Sequence, residues 1–187
     1  MEAFVTSLLA VALAEVGDKT QLLSFVLAAR LRRPLAIILG ILAATLANHA
    51  LAGGLGAWLA TLASPRLLPW LVGASFIACG LWLLRPDTLE CAPPLPRLGA
   101  FLAAALAFFL AEMGDKTQLA TVALGARFEP LAAVVLGTTL GMLAANIPAV
   151  LIGEALAHKL PLKALRYAAA ALFVATGLAT LLWPAAG

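Results

Sequence analysis

Charge is what this chain has least of. Of its 187 residues, 12 are Lys or Arg and 9 are Asp or Glu, so 11% are charged, against about 25% in an ordinary soluble domain. Apolar residues make up 64%, and the mean hydropathy is +1.05. A body this small cannot hide so much apolar side chain from water, which excludes a soluble globular domain. Disorder, which needs low hydrophobicity and high charge, is excluded with it. Cysteine is nearly absent. Cys79 and Cys91 match no disulfide framework or metal-ligand spacing, and Cys79, inside an apolar run, is expected to pack. Aromatics are 7% of the chain; Trp58, Trp70, Trp82, Tyr167 and Trp183 fall near predicted helix ends, where membrane-interface anchoring accounts for them. The first residues, MEAFVTSLLAVALAEVGDK, lack a basic stretch and a clear small-residue cleavage site, so a retained helix is expected. What is left is an integral membrane protein. Its net charge of +3 then reflects basic membrane loops, and no nucleic-acid partner is expected.

Apolar runs separated by short punctuation predict six transmembrane helices, near residues 3–29, 34–61, 67–84, 98–125, 130–157 and 162–183. Pro34, Pro130 and Pro161 fall where a first helical turn tolerates proline. The one sizeable loop, 85–97, separates a first half, 1–84, from a second, 98–187. The halves are copies. AEVGDKTQLL at 14–23 recurs as AEMGDKTQLA at 111–120, a shift of 97 positions. At the same shift FIACGL (76–81) overlies FVATGL (173–178), Trp70 overlies Tyr167 and Gly40 overlies Gly137, while Asn48 and Asn146 correspond across one gapped residue. A duplicated unit of three crossings enters the membrane from opposite sides. The expected fold is therefore all-α, with six transmembrane helices in two inverted-topology three-helix repeats and a site near the midplane between them. Loops on one face carry Arg30, Arg32, Arg33, Arg85, Arg97, Lys159, Lys163 and Arg166, the other only Arg66 and Arg127. That bias puts the first set in the cytoplasm and both termini outside it. Heavy use of Ala, Leu, Gly, Pro and of Arg over Lys fits a GC-rich bacterial source, hence the inner membrane.

The informative charges lie halfway along helices 1 and 4, at Glu15 to Gln21 and Glu112 to Gln118. An ionised side chain at the bilayer centre costs about 2.5–3.5 kcal/mol on insertion scales, so these groups must face one another or a wet cavity. On a continuous helix Glu15 and Asp18, three apart, share one face, and Gln21 continues the stripe; Glu112, Asp115 and Gln118 repeat it. If helices 1 and 4 meet, four carboxylates converge. With Lys19 and Lys116 they leave a formal charge of −2, which either one divalent cation or two protons neutralise. A pocket filled either way is what cation/proton antiport requires. Carboxylate, amide and hydroxyl oxygens suit Ca²⁺, Mn²⁺ or Mg²⁺, whereas Zn²⁺ or Cu⁺ would recruit His and Cys. Thr20, Gln21, Thr117, Gln118, Asn48 and Asn146 are the candidate neutral donors, and Gly17 and Gly114 let the backbone approach or bend beside the site.

A purely structural reading, with Glu15–Lys19 and Glu112–Lys116 as (i, i+4) ion pairs, leaves Asp18 and Asp115 without partners in hydrocarbon and is the weaker one. Lys19 and Lys116 are expected to tune the protonation of the carboxylates or seal the pocket rather than touch substrate. His49, which has no counterpart beside Asn146, is expected to pack, and Glu154 to reach the membrane interface.

Twin motifs, Glu15-Val16-Gly17-Asp18-Lys19-Thr20 and Glu112-Met113-Gly114-Asp115-Lys116-Thr117, one per repeat, resemble those of the calcium/manganese-to-proton antiporter family. That family includes Golgi and chloroplast cation transporters and bacterial manganese exporters. The resemblance covers essentially the whole chain. It implies that Glu15, Asp18, Glu112 and Asp115 bind the metal cation and that transport runs against protons. The short central loop departs from many eukaryotic relatives, which carry a long acidic segment there. The expected function is therefore export of Mn²⁺ or Ca²⁺ in exchange for protons. These ions are substrates; no cofactor is expected, and a homo-oligomer is compatible with the sequence. The alternative is an exporter of a small cationic metabolite such as an amino acid. A membrane hydrolase is disfavoured, because acid and base roles need different environments whereas the motifs are copies.

Overall fold

The computed structural model describes residues 1–85, 99–152 and 162–182. Glu154, Cys91, Trp183 and most of the central loop lie outside the described residues. Within them the chain is helical: α1 (Glu2–Glu15), α2 (Lys19–Leu31), α3 (Pro34–Leu62), α4 (Leu68–Leu83), α5 (Gly99–Glu112), α6 (Lys116–Arg127), α7 (Leu131–Ile152) and α8 (Leu162–Leu182). The helices expected at 34–61, 67–84 and 162–183 correspond to α3, α4 and α8, and the one at 130–157 to α7 as far as it is described. Three segments, Pro34–Leu62, Leu131–Ile152 and Lys163–Leu182, are long and apolar enough to cross a membrane, while α4 and α5 are apolar but shorter.

The continuous helices expected at 3–29 and 98–125 are not formed. Each is broken inside its motif, into α1 and α2 and into α5 and α6. The cause is local. Gly17 and Gly114 sit at φ +80° and +73°, a left-handed conformation that a helix cannot continue through and that glycine adopts at least cost. The next residue in each copy, Asp18 or Asp115, is extended (ψ 167° and 165°) and stands at the N-cap of the following helix. Glycine stops one helix and aspartate starts the next.

The packing exchanges partners between the two copies. α5 lies on α3 and α1 on α7, while α4 and α8 pair with each other. A Cβ at Gly40 would stand 2.5 Å from the Phe101 carbonyl oxygen and 2.9 Å from the Ala104 Cβ. One at Gly137 would stand 2.5 Å from the Phe4 carbonyl oxygen and 3.0 Å from the Ser7 Cβ. These are the same contact shifted by 97 positions with the copies interchanged. Gly80 against Ala170 and Gly177 against Gly73 repeat the exchange in the α4–α8 pair. The core is therefore built between the halves, and the two breaks are brought face to face within it.

Candidate cation site

The carboxylates of both motifs are buried. Glu15, Asp18, Glu112 and Asp115 are at most 4% exposed, and ligand oxygens of Glu15, Glu112 and Asp115 lie within 4.8 Å of one another. Glu15 and Glu112 end α1 and α5, where the carbonyl ends of helices carry partial negative charge and favour a cation.

The two glutamates are held differently. Thr20 Oγ1 donates to Glu15 Oε2 at 2.5 Å, and Thr117 Oγ1, from the other copy, donates to Glu15 Oε1 at 2.5 Å. Both oxygens of Glu112 are buried with no hydrogen-bond partner. A carboxylate orphaned in this way is costly unless a cation or proton completes it.

The ion pairs cross between copies. Lys19 Nζ lies 3.1 Å from Asp115 Oδ1, and Lys116 Nζ lies 2.9 Å from Asp18 Oδ1. This corrects the (i, i+4) pairs considered from sequence and the view that a structural network would leave the aspartates alone. With the helix broken after Glu15, Asp18 no longer shares a helix face with it, and the lysine turns towards the opposite copy. Each lysine neutralises the other copy's aspartate, so the uncompensated charge rests on Glu15 and Glu112. The bridges differ in depth: the Lys19 side chain is 27% exposed and that of Lys116 is 5% exposed. A cavity of about 10 Å³, no larger than one water needs, lies beside the inner bridge against Leu83 and Arg166.

The neutral donors divide. Thr20 and Thr117 turn their hydroxyls to Glu15. Gln21 and Gln118 instead turn back to the breaks, where Gln21 Oε1 accepts from Gly17 N at 2.9 Å and Gln118 Oε1 from Gly114 N at 2.7 Å. They satisfy N–H groups freed by the break, which a membrane interior cannot leave unpaired. Asn146 Oδ1 accepts from Ser24 Oγ at 2.8 Å, whereas Asn48 donates to the Phe109 carbonyl at 3.1 Å and its Oδ1 has no partner. His49 is fully buried, with neither ring nitrogen hydrogen-bonded. Ser24 and Arg166 are additions to the expected set. Ser24 continues the polar stripe of Thr20 and Gln21 along α2, whereas nothing in the sequence marks Arg166 as a neighbour of the site.

A family profile described as "Divalent cation/proton antiporter GDT1" matches residues 3–90 and 100–186. The chain belongs to this antiporter family. Each matched stretch contains one of the twin motifs. Among relatives, a Vibrio cholerae protein named "Putative manganese exporter" is 50% identical, over 96% of this chain and 90% of its own length. An Arabidopsis thaliana "GDT1-like protein 5" is 29% identical, over 98% of this chain and 97% of its own. No solved structure gives a significant match. For an antiporter of divalent cations the donor chemistry fits the cargo. Carboxylates and hydroxyls are hard oxygen ligands. No cysteine or histidine belongs to the carboxylate cluster among the described residues, and Cys79 is a buried free thiol.

Proposed function

We propose that this antiporter exports Mn²⁺, or Ca²⁺, from the cytoplasm in exchange for protons, with Glu15 and Glu112 carrying the ion alternately with two protons. The observation that carries the reading is the convergence of Glu15, Glu112 and Asp115 within 4.8 Å at the junction of the two copies. The reciprocal Lys–Asp bridges support it, because they leave two glutamates to balance one divalent charge. The spacing also favours an ion over a cationic amino acid, because three oxygens within 4.8 Å of one another are within the reach of one small cation. Manganese is the preferred cargo by analogy with the name of the Vibrio cholerae relative. The exchanged packing of the copies supports six crossings in two inverted repeats, α1–α2 and α5–α6 each counting as one broken crossing. The same reading puts both termini outside the cytoplasm, and Asp18, Asp115, Thr20 and Thr117 in contact with the ion during part of the cycle.

The experiment is proton movement in proteoliposomes under a preset pH gradient, on adding Mn²⁺, Ca²⁺ or Mg²⁺. Wild type should collapse the gradient with Mn²⁺ or Ca²⁺, and Glu112→Gln should abolish the response. Coupling that survives in Glu112→Gln would sink the central role, and competition by lysine or arginine would favour the amino-acid exporter.

A further inference from the structure

Away from the carboxylates, an apolar trough of about 550 Å³ runs between the end of α3, α4 and α6. It adjoins a second cavity of about 460 Å³, and Ala60, Leu68 and Ala126 line both. The second cavity has polar groups, Thr61, Arg127 and Glu129, in an otherwise apolar wall. Each volume lies in the range of ligand sites, about 300–1,000 Å³. The two meet where α3 ends at Leu62 and α7 begins at Leu131, so the second cavity sits at the level where membrane-length helices leave the hydrocarbon. From there the trough descends along α4 from Leu68 to Trp82. At 1.5 Å per residue that is about 21 Å, longer than the roughly 15 Å of one leaflet's hydrocarbon.

An apolar trough at that depth is filled by hydrocarbon, not water. The polar end says which hydrocarbon. Arg127 Nη1 donates to Thr180 Oγ1, its guanidinium lies over the Phe128 ring at 5.1 Å and its Nε is buried against protein, while the residue forms part of the cavity wall. Glu129, two residues on, is exposed at the same cavity. A cation and a carboxylate in the wall of one cavity match a zwitterion whose phosphate meets Arg127 and whose ammonium donates to Glu129. Arg66 lies between Ala63 and Leu67, which line the trough.

We propose that this paired trough and cavity is a binding site for an ethanolamine-type glycerophospholipid, with its phosphate on Arg127, its ammonium on Glu129 and one acyl chain along α4 and α6. Choline lipids, whose quaternary nitrogen has no N–H, and glycerol lipids, which have no cation, each lose the Glu129 contact. The site rests on the membrane embedding of the chain, not on its transport chemistry. It does touch the transporter, because the trough runs along Leu119 and Val122 of α6, the half-helix that starts beside Asp115.

The test is native mass spectrometry of the full chain after delipidation in detergent. Back-titration follows with phosphatidylethanolamine, phosphatidylcholine and phosphatidylglycerol of identical acyl chains. One phosphatidylethanolamine should stay bound per chain, about fivefold or more tighter than the other two. Glu129→Gln, an exposed change, should bring it down to the phosphatidylcholine level while leaving phosphatidylcholine unchanged. Ala60→Phe, which fills the junction of the cavities, should displace all three. Arg127→Gln should weaken all three phosphates, and Glu129→Gln keeps the proposal testable if loss of the Thr180 contact unfolds that variant. Equal binding of the three lipids to wild type, no retained lipid, or insensitivity to both Glu129→Gln and Ala60→Phe would overturn the site.

Discussion

At the scale of single residues, Asp18 and Asp115 have a part that the glutamates do not. Each aspartate starts a half-helix and binds the opposite lysine, so each is already compensated. The buried member, Lys116 with Asp18, should dominate stability. Breaking a buried pair from one side strands a charge and costs about 3–5 kcal/mol, whereas removing both partners is far cheaper. Lys116→Met should therefore lower the melting temperature of the detergent-solubilised protein sharply, and the double variant with Asp18→Asn should recover much of the loss. Lys19→Met should cost less, because Lys19 is 27% exposed. Equal costs for the two lysines would contradict the difference in depth. That the carboxylates cluster is legible in the sequence, because ionisable groups duplicated inside apolar runs are too costly to insert unless they meet one another or a polar cavity. Their pairing is not. A spacing of four residues offers a bridge within one helix, and only the tertiary exchange of the copies shows that the lysines reach across.

At the scale of elements, the breaks decide the site. Each puts the carbonyl end of one half-helix and the N-terminal end of another at the same depth, and Gln21 and Gln118 close the freed N–H groups. The sequence holds the sign, a glycine followed by an aspartate, which is a stop and then a start. An isolated glycine in a long apolar run is equally compatible with an unbroken helix, so hydropathy alone predicts continuity. Gly17→Ala and Gly114→Ala force a side chain into the left-handed region at about 1–2 kcal/mol, or rebuild a continuous helix that turns Glu15 and Glu112 away. Either should cut cation-driven proton movement at least tenfold while leaving the protein in the membrane. Gly54→Ala is the control. Nothing lies within 4 Å of where its Cβ would stand on α3, so it should be neutral or stabilising by about 0.5–1 kcal/mol. Transport at wild-type rate in Gly114→Ala would show that the break is dispensable.

At the scale of the whole molecule, the copies exchange contacts but not every bond. Gly40 and Gly137, and the two Lys–Asp bridges, obey the exchange; the threonines do not, since both donate to Glu15 and neither to Glu112. A pair of identical carboxylates thus has one fully hydrogen-bonded member and one bare member, and the bare one depends most on what the cycle brings. Two carboxylates this close repel unless a cation or protons sit between them, so cation and protons compete for the same oxygens. Protons win as pH falls through the range in which the pair titrates, and cation affinity is full only above it. The logarithm of the apparent Mn²⁺ affinity should rise with pH with a slope approaching about two protons per ion, then flatten. In Glu112→Gln one titrating oxygen pair is gone, so any residual binding should be weaker and its slope should drop towards about one. Calorimetry in buffers of different ionisation enthalpy measures both quantities without any transport step. A slope that stays near zero in wild type would mean that the protons of exchange bind elsewhere, and the buried, unpartnered ring of His49 would be the next group to vary.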